Sequence, residues 1–249
     1  MKIYRILGCA TAVALATVSC STKISGSGDA ATGFVNFTVE APDEIALVTK
    51  ASLSDYTALP ASSDFRLVVK NSDGAPMYEG TFSGWDSSKP LMAGNYSVSA
   101  SYGEEGVEGF DKPYFTGSAQ FAVQGGQSTP VSVPVRLGNA LVKIECGDSF
   151  RNYFTDWTFK VTTGTGTVIS FPKDEKRAAF IDAYKFSISG NLTSQGGTEK
   201  TFAKDYNTLE TNTLYTLKFD ASNIGGVTVT VTFDDKVETV ELGDVELND

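Results

Sequence analysis

The chain has 249 residues, of which 41% are hydrophobic and 20% charged, and its formal net charge is −10. An acidic body repels phosphate backbones, so we expect no nucleic-acid partner. The chain contains no histidine, which excludes Ser-His and Cys-His catalysis in their usual forms and removes the commonest transition-metal ligand. No other residue pattern argues for catalysis. We therefore expect no enzyme, and the sequence predicts neither a metal nor a cofactor.

The first twenty residues are laid out like an export signal. Lys2 and Arg5 precede an apolar stretch over 6–18, and Ser19 leads to Cys20. The stretch is shorter than the ~20 residues that a comfortable membrane span needs, so we predict a signal peptide over 1–19. Val18-Ser19-Cys20 resembles the lipobox of bacterial lipoproteins, in which the cysteine is lipidated. Ordinary cleavage that leaves Cys20 unmodified is the alternative.

Residues 20–32 predict how the chain is attached. They are rich in Ser, Gly and Ala, a composition typical of a flexible tether. With a lipid on Cys20, the mature protein is expected to be held at the outer membrane. Lys23 follows the cysteine where acidic residues often accompany surface export, so the surface and the periplasmic face both stay open.

Alternating apolar and polar residues run through the first half of the body, as strands with one buried face require. The apolar positions are Val35, Phe37 and Val39, then Phe65, Leu67 and Val69, then Tyr96, Val98, Ala100 and Tyr102, then Val131, Val133, Val135 and Leu137. Pro134 cannot donate a ladder hydrogen bond, which predicts an edge strand or a bulge at that point.

The second half repeats the scheme. Its apolar positions are Val142, Ile144 and Cys146, then Phe159 and Val161, then Tyr184, Phe186 and Ile188, then Tyr215, Leu217 and Phe219, then Val227, Val229, Val231 and Phe233. We predict an all-β protein with two consecutive antiparallel β-sandwich domains, over 33–139 and 140–249. Helix signals are weak: 174–183 is expected to form a short helix or a loop, and 54–59 one helical turn.

Two surface features are candidate sites. The first is the set of aromatic residues around a Gly/Glu-rich loop over 103–109, namely Tyr102, Phe110, Tyr114 and Phe115. These rings could stack against a sugar or a partner protein, or fold back and cap the sandwich. The second is the acidic C-terminal hairpin with Asp234, Asp235, Glu238, Glu241 and Asp244. Its spacing matches no known calcium loop, so a solvated face or edge protection is the preferred interpretation.

A series of short motifs carries a family resemblance. In chain order they are Thr49-Lys50, Asp55-Tyr56, Leu91 to Tyr96, Pro113 to Gly117, Phe121 to Val123, Thr129 to Leu137, Asn139, Val142 to Ile144, Phe154, Trp157, Val161, Arg177 to Phe180 and Tyr215 to Phe219. Over most of 33–249 the chain resembles a family of uncharacterised lipoproteins, a domain of unknown function common in Bacteroides and its relatives. This family is distantly similar to fimbrillins and their anchor proteins.

The resemblance implies two transthyretin-like or fimbrillin-like β-sandwich domains behind a lipidated signal, and it supplies no catalytic residues. The expected function is that of a cell-envelope lipoprotein with a structural or adhesive role, as in a fimbrial component. The alternative is a surface lipoprotein that binds a carbohydrate or a protein and does not polymerise. Expected partners are the membrane, through the lipid, and a protein or glycan.

Overall fold

The computed structural model describes residues 31–43 and 52–221, together with the backbone of 227–233 and 236–242. The predicted signal peptide over 1–19, Cys20, most of the tether and the Thr49-Lys50 motif lie outside these residues. Asp234, Asp235 and Asp244 also lie outside them. Within the described part of the chain, none of the helices has the length and apolarity needed to cross a membrane.

Strands dominate the first half. They are β1 (Thr32–Glu40), β2 (Arg66–Asn71), β3 (Pro76–Thr81), β4 (Leu91–Met92), β5 (Gly94–Tyr102), β6 (Gly109–Phe110), β7 (Phe115–Val123) and β8 (Ser128–Leu137). Short 3-10 helices at Leu53–Asp55, Ser62–Asp64 and Phe82–Gly84 lie in the connections. Seven of the strands form one sheet in the order β3-β2-β5-β7-β8-β1-β4.

Strand β8 folds this sheet over on itself. Its residues 128–134 pair in parallel with β1, and residues 135–137 pair antiparallel with the start of β7. The inward side chains of both parts pack in one core, which includes Val35 of β1, Val98 of β5 and Val133 of β8. The alternation seen in the sequence is thus a sandwich pattern: β1 is alternately exposed and buried along its whole length.

Pro134 marks the point where β8 changes partner. Its carbonyl oxygen would lie 2.1 Å from a Cβ on Gly117, so β7 can approach only because residue 117 has no side chain. Among the described strands, residues 128–134 of β8 pair with β1 alone. Pro130 and Pro134 lack the N–H groups that an added strand would need. As a whole β8 lies between β7 and β1 in the sheet, so the edge predicted at Pro134 applies only to residues 128–134.

The second half also consists mainly of strands. They are β9 (Asn139–Cys146), β10 (Phe154–Thr163), β11 (Val168–Pro172), β12 (Ala179–Asp182), β13 (Lys185–Ser194), β14 (Glu199–Asn207), β15 (Leu214–Ala221), β16 (Val227–Phe233) and β17 (Lys236–Leu242), with α1 at Asp148–Tyr153. One sheet has the order β11-β10-β13-β14 and the other β17-β16-β15-β9-β12-β6. A second core, rich in aromatic residues, lies between them.

The all-β prediction is confirmed, but two local predictions were wrong in part. Residues 174–178 form a loop, which was one of the two alternatives, whereas Ala179–Asp182 form β12, because Ala179 and Ile181 point into the second core while Phe180 points into the first. Two strand pairings are parallel rather than antiparallel: β1 with β8, and β9 with β15. Sequence patterns fix which face of a strand is buried, but not its direction relative to a distant partner.

Strands β9 and β12 contribute to both cores. Along β9, Leu141 packs in the first core and Val142 in the second, and both are fully buried. The predicted boundary at residues 139 and 140 falls at the start of β9, close to where strand pairing passes from one sheet to another. The short strand β6 crosses this boundary, since it comes from the first half and pairs with β12. The division into two domains stays a prediction.

Candidate functional site

The candidate site is the loop that leaves β5 at Tyr102 and returns to β7 at Phe115. Its neck is narrow, because a Cβ on Gly103 would lie 2.1 Å from the carbonyl oxygen of Pro113. Gly103 also has a φ of +79°, which glycine adopts at little cost. From this neck the loop extends to the second half of the chain, where Gly109 and Phe110 pair with β12.

Phe110 is held between groups of the second half. Its ring meets that of Phe171 edge to face, with 4.9 Å between centroids. The guanidinium carbon of Arg177 lies 4.5 Å from the centre of the Phe110 ring, a distance suited to a cation–π contact. Arg177 also donates to Asp111 at 2.9 Å and to Glu175 at 2.8 Å. The Phe110 side chain is therefore packed at the junction between the two halves.

Glu108 is the main polar contact of the loop. One carboxylate oxygen accepts hydrogen bonds from the hydroxyls of Thr163, at 2.6 Å, and Thr165. The other accepts from the backbone N–H of Asp182 at 2.8 Å. Burial, the largest single influence, raises the pKa of Glu108, but these hydrogen bonds and one from Thr167 together hold it below the ordinary value. The hydrogen bonds therefore keep the Glu108 side chain in its ionised form.

Asp182 shows the opposite effect. Burial first, and then the negative charges of Glu108 and Glu105, raise the pKa of its carboxyl group. The loop therefore brings together Glu108, whose ionised form is stabilised, and Asp182, whose ionised form is disfavoured. In the described part of the chain, no three His, Cys, Asp or Glu side chains are grouped so that they could hold a metal ion. The side chains of the acidic C-terminal hairpin lie outside the described residues, so its calcium alternative stays untested.

The other predicted contact residues lie at the neck. Phe115 is fully buried in the first core, and its ring and that of Tyr102 pack near Phe65. Tyr114 is half-buried, and its backbone N–H donates to the side-chain oxygen of Asn139 at 2.6 Å. Asn139 is itself only 2% exposed, so this bond fixes the point where the chain enters its second half.

A cleft of about 470 Å³ lies beside the neck. It is lined by Tyr102, Gly103, Glu104, Val107, Asp111, Lys112 and Pro113. Tyr102 lines this cleft, whereas Tyr114 does not, and Phe110 and Phe115 are engaged in packing. Ligand contact by the aromatic set stays a prediction, and in this geometry it depends on Tyr102.

Sequence reasoning missed Glu108, Asn139 and the role of Arg177 at the junction. Glu108 is one of several acidic residues in the loop, and its spacing does not distinguish it from Glu104 or Glu105. Asn139 stands directly before an apolar run, a position that does not by itself distinguish a buried hydrogen bond from an exposed side chain. The partners of all three residues are distant in sequence and could not be paired from the pattern.

Comparison with known proteins gives a family and structural likenesses. A fimbrial assembly protein from Parabacteroides distasonis ATCC 8503 is 11% identical, with a TM-score of 0.47 over 82% of this chain and 98% of that one. The fimbrial anchor protein Mfa2 from Porphyromonas gingivalis is 10% identical, with a TM-score of 0.42 over 83% of this chain and 98% of its own.

No curated protein matches the chain. The sequence profile described as "Domain of unknown function (DUF4493)" matches residues 31–248. The resemblance to a domain of unknown function is thereby confirmed, and the chain belongs to the DUF4493 family.

Proposed function

We propose that the chain is a lipoprotein of the cell envelope, held at the outer membrane through Cys20, with a structural or adhesive role of the fimbrial type. The observation that carries the proposal is the way the two cores are joined. Strands β9 and β12 place side chains in both cores, and the loop over 103–113 ties the first half to the second. Over its described part, a body joined in this way is suited to carry load across the junction between its two halves.

The first described strand fits such a mechanical role. β1 follows the predicted tether and pairs in parallel with β8 from Phe34 to Glu40. A pull on the N-terminal end of β1, directed along the strand, loads all these pairs together rather than one at a time. This arrangement suits a chain that is anchored at its N-terminus and bears a load elsewhere.

The likeness to the fimbrial assembly and anchor proteins agrees with this proposal but is too low to carry it. The proposal therefore rests on the chain's own features. They are a basic and apolar N-terminus that ends at a cysteine, a β body with joined cores, and the absence of histidine.

Metabolic labelling with a fatty-acid analogue, combined with protease shaving of intact cells, tests the anchor and its side of the membrane. We expect label on the wild-type protein and none on Cys20→Ser. Cys146→Ser is the matched control and keeps its label, because Cys146 lies in the folded body. Label that persists in Cys20→Ser, or a wild-type protein without label, contradicts the anchor.

Chemical cross-linking of envelope extracts tests the structural role. A fimbrial-type component is expected in a polymer or a stable complex that disappears when the gene is deleted. A protein that stays monomeric in extracts and after purification contradicts a subunit role.

The cleft beside Tyr102 favours a second candidate function, a non-polymerising lipoprotein that binds a glycan or a protein. The variant Tyr102→Leu removes the phenol while keeping an apolar side chain near Phe65. Binding to a glycan array by the wild type and a clear loss in Tyr102→Leu would support this function. Equal binding by both proteins, or none by either, removes the Tyr102 cleft as a glycan site.

A further inference from the structure

A second cleft, of about 430 Å³, lies on the outer face of the four-stranded sheet. It is found where β10 ends, β13 begins and β14 ends. The pairing register places Thr162, Ser187 and Asp205 side by side across these three strands. Lys185 and Asn207 form the next pair on the same face of β13 and β14. The cleft therefore has a floor of polar side chains carried by a rigid sheet.

The floor has free hydrogen-bonding capacity. Within the described part of the chain, the side chains of Ser187, Asp205 and Asn207 make no hydrogen bond to protein groups. Asp205 offers acceptors, Asn207 offers both a donor and an acceptor, and Ser187 offers a hydroxyl. Residues on the opposite face of the same strands, such as Phe186 and Tyr206, are buried in the second core. That packing fixes the spacing of the polar groups.

An aromatic ring lies next to this cleft: Tyr184 is not one of the lining residues, but its ring is close to Gly164 and Lys185, which are. Tyr184 is 65% exposed, more than any other large hydrophobic residue of the described chain. Its ring lies against Gly164, where a Cβ would approach its Cδ1 atom to 2.9 Å, and Lys185 Nζ is 5.4 Å from its centre. Its backbone carbonyl accepts hydrogen bonds from Thr208 and Leu209. The ring is thus positioned by its backbone while much of its surface faces solvent.

The wall next to the ring is also fixed. The β10–β11 hairpin carries Gly164 and Gly166, and Thr163 and Thr165 in the same turn donate to Glu108. Backbone bonds from Thr163 to Thr167, and from Gly166 back to Thr163, close the turn. Because Glu108 comes from the first half of the chain, the junction between the halves holds this wall in place. Such a preformed wall lowers the entropy cost of binding.

These features select one class of ligand. A sugar ring presents a flat C–H face that can stack on an aromatic ring, and hydroxyls that suit carboxylate, amide and hydroxyl partners. The charges of Lys185 and Asp205 balance within the cleft, and the chain as a whole is acidic, so a polyanion is disfavoured. We infer that this cleft binds a neutral saccharide, with Tyr184 as the stacking platform and Asp205 and Asn207 as hydrogen-bonding groups.

This inference goes beyond the proposed function, because it needs neither the lipid anchor nor the Tyr102 cleft. The test uses the full chain, purified in detergent, on an array of neutral oligosaccharides built from glucose, galactose, mannose and N-acetylglucosamine. The strongest binder is then titrated by calorimetry. We expect Tyr184→Ala and Asp205→Ala each to weaken binding about tenfold, and Tyr184→Trp to restore it because a ring is kept.

Two controls separate this cleft from other causes. Met77→Ala shortens another exposed apolar side chain, 46% exposed and carried by β3 of the other half of the chain, and should bind like the wild type. Tyr102→Leu should also bind like the wild type, which distinguishes this site from the first cleft. The inference is overturned if the wild type binds no array member, if Tyr184→Ala and Asp205→Ala bind normally, or if Met77→Ala or Tyr102→Leu loses binding equally.

Discussion

Glu108 accepts a hydrogen bond from the backbone N–H of Asp182, a residue 74 positions later in the chain, at 2.8 Å. The same carboxylate accepts from the hydroxyls of Thr163 and Thr165. One loop residue of the first half therefore holds two separate segments of the second half, the β10–β11 turn and the end of β12.

Glu108→Ala should destabilise the protein. The change leaves the N–H of Asp182 and two hydroxyls without their charged acceptor. Hydrogen bonds to charged groups contribute roughly 1.5–3 kcal/mol, so we expect the free energy of unfolding in urea to fall by about 2 kcal/mol. Glu104→Ala is the matched control, an exposed acidic residue in the same loop, and should change little. Equal loss in both variants would show that loop composition, and not this contact, matters.

The contribution of Glu108 should depend on pH. Its pKa in the folded protein is lower than the ordinary 4.5, so its stabilising effect is present above about pH 4.5 and is lost as pH falls through the lowered value. A protonated Glu108 resembles glutamine. We therefore expect the gap in unfolding free energy between the wild type and Glu108→Gln to shrink progressively as pH falls below the ordinary value of 4.5. A gap that stays constant over this range contradicts the assignment.

Asp182→Asn should stabilise the protein, whereas Glu108→Ala should destabilise it. Burial and the nearby charges of Glu108 and Glu105 raise the pKa of Asp182 in the folded protein, so its charged form opposes folding at neutral pH. The amide removes that charge and keeps the backbone N–H that Glu108 accepts. We expect urea unfolding at neutral pH to require more denaturant in the variant, with the gain disappearing on acidification.

A double variant checks the cause of the increased stability expected for Asp182→Asn. In a Glu108→Gln background, the neighbouring negative charge is already absent, so Asp182→Asn should stabilise less than it does in the wild type. An equal gain in both backgrounds would exclude repulsion by Glu108 and assign the effect to burial and the charge of Glu105.

The alternation of residues was enough to predict much of the first core. Val35, Phe37 and Val39 are buried as expected, and so are Val131 and Val133. Alternation with a period of two shows which face of a strand is apolar, and it depends only on residues that are close in sequence.

The pattern could not predict contacts between distant segments. The sequence predicted Phe110 to be an aromatic residue of a surface loop, yet its ring packs on Phe171 because β6 pairs with β12. Tyr184 fitted the apolar series with Phe186 and Ile188 but lies just before β13 begins, where its side chain leaves the core. In both cases the outcome depends on where a strand starts or which strand it meets, and these are tertiary properties.

Gly117→Ala should disrupt the crossing of β7 and β8. The added Cβ would lie 2.1 Å from the backbone oxygen of Pro134, and neither strand can yield without breaking its register. Overpacking of this kind costs about 3 kcal/mol. Gly196→Ala is the control, because its Cβ would meet only the Ser194 hydroxyl at 3.9 Å. Thermal unfolding should show a large fall in Tm for the first variant and a small change for the second.

Cys146 should be a poor nucleophile in the folded protein. Its side chain is partly buried against the second core. Burial raises the pKa of its thiol to about 12, although the charge of Arg151 acts in the other direction. Because the thiolate is the reactive form, almost none is present at neutral pH. In a Cys9→Ser, Cys20→Ser background, where Cys146 is the remaining thiol, we expect alkylation by iodoacetamide to be at least about a hundredfold slower than in urea. Equal rates in the folded and unfolded protein would show that the thiol is accessible and ionised, and would place it outside the packed edge of the second core.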